Sequence, residues 1–241
     1  MSIRSKLEIN EFLHSKDFFE YNPMKMQTQS HETVQREVDE DFDSMKKSDY
    51  LVAFSTRAKS YCVGCVDMVD STKIVARLSQ KQMSEYYEVF LNSMSKIIGK
   101  LGGRVIKNIG DCLLFYFPES VNSAIEGMKK CLECGLVMTQ AKHMISEQLV
   151  SKKLPSIDYR VSADYGSVII MKTSDSTAID LIGPPVNMCT KINRCANKNE
   201  FVIGGDLHEV VKKYDGFKFE HTRGINVGLP YTYQVFKVSS K

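Results

Sequence analysis

GGRVIKNIGDCLLFYF, residues 102–117, is the stretch whose reading decides the fold. Gly102-Gly103 stops the helix that precedes it, and Arg104 to Asn108 and Cys112 to Phe117 are apolar runs on either side of Ile109-Gly110-Asp111. Two strand-like runs around a Gly-Asp step predict a β-hairpin with its tip at Gly110-Asp111, and Pro118 ends it. Upstream, 61–68 reads as a short buried strand, Ser71 or Thr72 offers a helix cap, and a longer helix covers about 81–100. Downstream, one long helix is expected from about 121 to 149, followed by two strands within 159–171 broken at Gly166. Pro184-Pro185 then opens a helix to about Ala196. A short strand at 201–203, a helix over 206–213 and strands near Phe217 and at 231–238 complete the chain. This order predicts an α+β fold with helices packed on a mainly antiparallel sheet.

Residues 1–50 differ in character. A polar stretch at 23–29 leads into an acidic segment, 32–49, in which Val34, Val38, Phe42 and Met45 recur at helical spacing. The division expected is a helical N-terminal extension, 1–50, and a main domain, 51–241. No apolar run reaches the roughly 18 residues of a membrane span, and the first residues lack a signal-peptide core. The net charge of +3 is spread among mixed residues. These features predict a cytoplasmic protein with no nucleic-acid or membrane partner.

Seven cysteines in such a chain are expected to be reduced. Cys62 and Cys65, three apart in a strand, point to opposite faces. Cys131 and Cys134 share a helix face but lack further ligands nearby, so all four read as small buried hydrophobes.

Two carboxylates draw chemical interest. Asp67 lies at the end of the first strand and Asp111 at the hairpin tip. Turns favour Asp for structural reasons alone, but two hard oxygen ligands on neighbouring strand ends suit a pair of Mg²⁺ or Mn²⁺ ions that also grip a polyphosphate.

The segments VGCVDMVDST (63–72), GGRVIKNIGDCLLFYF (102–117) and IDLIGPPVNMCTKIN (179–193), with the final YTYQVFKV (231–238), resemble the catalytic motifs of the class III adenylyl and guanylyl cyclases in order and spacing. The resemblance implies a ferredoxin-like, palm-type cyclase fold and an adenylate cyclase that converts ATP to cyclic AMP and pyrophosphate. It implies that Asp67 and Asp111 bind two metal ions, that Lys107 and Asp180 select adenine, and that Asn187 orients the ribose. It also implies that backbone N–H groups between Met68 and Ser71 face phosphates. The metal residues and the base and ribose residues would come from different subunits of a homodimer.

Two departures leave other readings open. Lys191 stands where most members carry a transition-state arginine, with Arg194 one helical turn further on, and Asp70 stands where the family often has glycine. A nucleotide-binding or dimerisation module with weak or no turnover, and a guanylate cyclase with relaxed base selection, are the alternatives. Gly204-Gly205-Asp206 resembles the diguanylate cyclase signature, but Leu207 and His208 follow and a helix comes next, so Asp206 is expected to be a helix cap.

Overall fold

The strand Lys59–Met68 is buried over most of its length on both faces, which puts it inside the sheet rather than at an edge. In the computed structural model the described residues are 3–20, 52–55, 57–118, 124–173, 179–228 and 230–241. After helix α1 (Ile3–Leu13) and a 3-10 turn at Lys16–Phe18 come β1 (Val52–Phe54), β2 (Lys59–Met68), α2 (Ser71–Val75), α3 (Gln80–Lys100), β3 (Arg104–Ile109) and β4 (Cys112–Phe117). Then follow α4 (Ala124–Gln140), α5 (Lys142–Ser151), β5 (Tyr159–Thr173), β6 (Ile179–Ile182), α6 (Pro184–Asn193), β7 (Phe201–Gly204), α7 (Gly205–Val211), β8 (Phe217–Ile225) and β9 (Tyr233–Ser240).

The sheet runs β3-β4-β2-β5-β7-β9-β8, with β1 and β6 both paired to the far end of β5. Every pairing is antiparallel except β5 with β7. One face carries the large core, in which Phe90, Met94 and Ile97 of α3, Leu132 and Met138 of α4, Ile145 of α5 and Leu207 of α7 are buried. The other face is covered by α6, whose Cys189 and Ile192 pack on β2, β5 and β7. The expected α+β architecture is the one observed.

Several local readings change. The helix expected over 121–149 is divided at Ala141, although the bonds Ala141 N–H to Val137 O and Ile145 N–H to Ala141 O carry through the division. β5 is not broken at Gly166. It stays laddered to β2 through the Tyr61–Gly166 pair, and the missing side chain makes room for Pro185, whose ring would lie 3.3 Å from a Cβ there. Its hairpin partner is β6. Helix α3 opens on Ser79, where a reciprocal capping box with Gln82 fixes the start. α2 begins at Ser71 with Asp70 as N-cap, so neither Ser71 nor Thr72 plays that part. α7 starts after Gly204, which leaves Asp206 in its first turn rather than at its cap.

Residues of the N-terminal segment join the main core. Ile9, Leu13 and Phe18 are buried against it, and Lys96 of α3 donates to the carbonyls of Asp17, Phe18 and Glu20. The amphipathic helix expected around Val34, Val38, Phe42 and Met45 lies outside the described residues.

Candidate active site

The hairpin tip is built by turn chemistry. β3 and β4 are joined by Gly110 and Asp111 alone, with Ile109 paired to Cys112. Gly110 adopts a φ of 62°, which a two-residue hairpin loop requires at its first central position and glycine reaches without a Cβ clash. Asp111 therefore stands at the end of β4.

Asp67, the penultimate residue of β2, is paired to Cys112 on one side and to Arg160 of β5 on the other. The register brings the two carboxylates together. Asp67 is half-buried, and its burial first, then the charge of Asp111, hold its carboxyl above the ordinary carboxylate range, while Arg160 and Arg194 pull it down. Two carboxylates side by side with two cations near them form a strongly polarised corner.

Asp70 lies just beyond, in the left-handed conformation (φ 56°). Glycine is the natural occupant of such a position, and Asp is among the residues that tolerate it. Its side chain bonds Lys73 Nζ at 2.9 Å, and that hydrogen bond holds the carboxyl below the usual range. The Val69 N–H is taken by the Asp158 carbonyl at 2.8 Å, so of the N–H groups between Met68 and Ser71 that one is not free for a ligand.

Lys107 and Asp180 come together from β3 and β6. A register shift between Val105 and Lys107 re-aims β3, and the Lys107 ammonium donates to Asp180 Oδ2, while Oδ1 accepts the Leu181 N–H at 2.8 Å. The carboxylate is thus held from behind by backbone, with the lysine on its open side.

Asn187 and Lys191 lie one turn apart on the exposed face of α6, and no hydrogen bond or ion pair among the described residues joins either to Asp67 or Asp111. The inner end of α6 is fixed by a buried polar bracket. Asn193 Nδ2 donates to the carbonyls of Arg160 (3.2 Å) and Cys65 (3.4 Å) and to Ser162 Oγ (3.1 Å), and Ser162 Oγ donates to the Cys189 carbonyl at 2.7 Å. The next residue, Arg194, is exposed and lies close enough for its charge to lower the Asp67 carboxyl of its own chain.

Arg160 is the site residue that sequence reading missed. It faces Asp67 across the β2–β5 ladder, and its Nε is buried without a partner among the described residues. The signal available was a lone cation in the otherwise buried run YRVSADYG.

Residues 54–236 match the family model described as the adenylate and guanylate cyclase catalytic domain. The chain belongs to that family. This cyclase domain is 23% identical over 204 residues to the soluble guanylate cyclase gcy-31 of Caenorhabditis elegans, covering 83% of the chain and 28% of that protein. Over 192 residues it is 26% identical to a photoactivated adenylate cyclase subunit beta-like protein of Euglena gracilis, covering 75% of the chain and 22% of the relative. It therefore spans under a third of the length of these relatives. Among solved structures, the adenylyl cyclase CyaB of P. aeruginosa superposes with a TM-score of 0.70 at 20% identity, covering 77% of this chain and 96% of that one. The guanylyl cyclase Cya2 gives 0.67 at 16% identity, covering 76% and 93%. These likenesses establish the cyclase fold. Relatives of both base specificities occur, so the nucleotide must be argued from the site. No helix among the described residues is long and apolar enough to cross a membrane.

Proposed function

We propose that this cyclase domain is an adenylyl cyclase that converts ATP to 3′,5′-cyclic AMP and pyrophosphate at sites shared between two copies of the chain. The observation that carries the choice of base is the Lys107–Asp180 pair. An ammonium donates to N1 of adenine and a carboxylate accepts from its 6-amino group, whereas guanine presents the reverse pattern at that edge. The direct ion pair is partly exposed and worth little by itself, about 0–1 kcal/mol, so an adenine edge can replace it at small cost.

Asp67 and Asp111 fit divalent cations. Burial and the neighbouring charge of Asp111 raise the cost of ionising Asp67, which a cation relieves, and no cluster of three or more His, Cys, Asp or Glu suited to a metal exists among the described residues. Phosphate oxygens and water would therefore complete the coordination of Mg²⁺ or Mn²⁺. Two such ions would neutralise the triphosphate and acidify the ribose 3′-hydroxyl. The chain's own groups do the rest. Arg160 and Arg194 put positive charge beside the carboxylates, where the phosphates would lie. Asn187 would hold the ribose so that O3′ attacks the α-phosphorus in line, with the bond to pyrophosphate breaking as the new P–O bond forms. Lys191 would offset charge developing on the phosphates.

Because Asn187 and Lys191 point out from α6 while Asp67 and Asp111 sit at a strand end, we infer that each site takes its carboxylates from one copy and its base and ribose contacts from the other. Exposed Phe54, Ile169 and Ile182 share one face of the β1–β5–β6 arm and supply apolar surface for such a contact. Lys191 in place of arginine favours a second reading, a domain that binds nucleotide with little turnover. Incubation of the purified protein with Mn²⁺ and either ATP or GTP, with both cyclic products quantified, tests these readings. Cyclic AMP exceeding cyclic GMP supports the proposal; ATP binding with no product at high protein concentration supports the second reading.

A further inference from the structure

The catalytic corner adjoins a pair of thiols. In the β2–β4 ladder Cys65 stands opposite Leu114, and Cys112, two residues before Leu114, stands opposite Asp67. Side chains alternate along a strand, so Cys65 and Cys112 lie on one face, diagonally across the ladder. Their Sγ atoms are 3.1 Å apart. Cys65 is buried and Cys112 is partly open to solvent. The other thiol pair contrasts with it: Cys62, on the opposite face of β2, lies near Cys131 of α4, and both are buried out of reach of a solute.

We propose that Cys65 and Cys112 are an oxidation site for a small hydroperoxide, and that the disulfide formed there disables the neighbouring carboxylate pair. The accessible Cys112 sulfur attacks the peroxide O–O bond, forming an S–O bond and releasing water from hydrogen peroxide. The Cys65 sulfur then displaces the oxygen from Cys112. The S–S bond forms, the S–O bond breaks, and the thiol protons leave with oxygen as water. Two thiols lose two electrons in total, and one peroxide is reduced to two waters.

Geometry supplies the consequence. A disulfide needs its sulfurs about 2.05 Å apart and relaxed Cα atoms within about 7 Å, whereas diagonal positions in an antiparallel pair are about 7–8 Å apart. Closing the bond therefore draws the ends of β2 and β4 together. Asp111 directly precedes Cys112 in the chain and Asp67 is the ladder partner of Cys112, so both carboxylates move with the strand ends. Metal ligands tolerate errors of only about 0.2 Å.

The effect on catalysis rests on the cyclase reading; the thiol chemistry does not. The test treats the reduced chain with hydrogen peroxide, maps linked peptides by mass spectrometry, and measures Mn²⁺ binding by electron paramagnetic resonance beside cyclic nucleotide formation. A Cys65–Cys112 link should appear. With it, Mn²⁺ affinity and turnover should fall about tenfold or more and recover in dithiothreitol. Cys112→Ser should be insensitive, and Cys65→Ala should leave a sulfenic acid at Cys112 that dimedone traps. Oxidation of Cys112 to sulfinic acid with Cys65 still a free thiol overturns the proposal, as does a complete link with unchanged Mn²⁺ binding. If the reduced protein makes no cyclic nucleotide, the cyclase reading fails alone, because the link and Mn²⁺ binding still decide this proposal.

Discussion

Replacing Asp164 with asparagine should make the protein more stable at neutral pH and slightly less stable in acid. Asp164, on β5 beneath the β7–α7 junction, has no solvent exposure. Its carboxylate accepts the Tyr233 hydroxyl at 2.6 Å and the N–H groups of Tyr165 and Leu207 at 2.9 and 3.2 Å. Burial outweighs those bonds and lifts its pKa from 3.8 to about 6. The folded state therefore holds this proton more tightly than the unfolded chain. Its contribution to stability is fully present below about pH 4 and is lost as pH rises through about 6. A gap of about two pH units is worth roughly 3 kcal/mol at neutral pH. Asparagine has the same shape and keeps the backbone bonds, but it obliges the Tyr233 hydroxyl to accept. That oxygen already takes the Asp206 N–H at 3.1 Å, which returns about 1 kcal/mol of the gain. Urea unfolding followed by far-ultraviolet circular dichroism, suited to a chain without tryptophan, should show the variant gaining about 2 kcal/mol on wild type between pH 4 and pH 8. Two stability curves that run parallel over that range would refute the reasoning.

Lys191→Arg should raise kcat by about tenfold with little change in KM, because the planar fork adds a second bond made mainly in the transition state; steady-state kinetics with Mn²⁺ and ATP checks it. Lys107→Glu combined with Asp180→Ser reverses the donor and acceptor pattern, so the ratio of cyclic AMP to cyclic GMP formed should fall about a hundredfold. Asn193→Ala removes the donor that ties α6 to β2 and β5. It should lower unfolding free energy by about 2 kcal/mol and reduce kcat more than KM, read by denaturation and kinetics on the same preparation.

What could be read from sequence was what neighbouring residues determine. The hairpin at 104–117 followed from its Gly-Asp tip, and its strand limits agree with the structure to within a residue. Lys107 with Asp180, and Asp67 with Asp111, were singled out by motif order, and the fold brings each pair together. Features set by distant pairing were not legible. Arg160 gains meaning only from the β2–β5 register, and Asp164 looks like an ordinary strand acid until Tyr233, 69 residues later, is seen to bond it. Gly166 suggested a strand break because glycine often marks one, but here it makes room for Pro185. The thiol contact likewise depends on strand register, since Cys65 and Cys112 are 47 residues apart.

Mixing two inactive variants tests the shared site most directly. Asp111→Ala should destroy the carboxylate half of every site, and Asn187→Ala the ribose half. After subunit exchange in equal amounts, half the dimers should be mixed, and each would keep one intact site of two, restoring about one quarter of wild-type cyclic AMP formation. Activity that stays at the level of the separate variants, although exchange is verified, would contradict a site built from two copies of the chain.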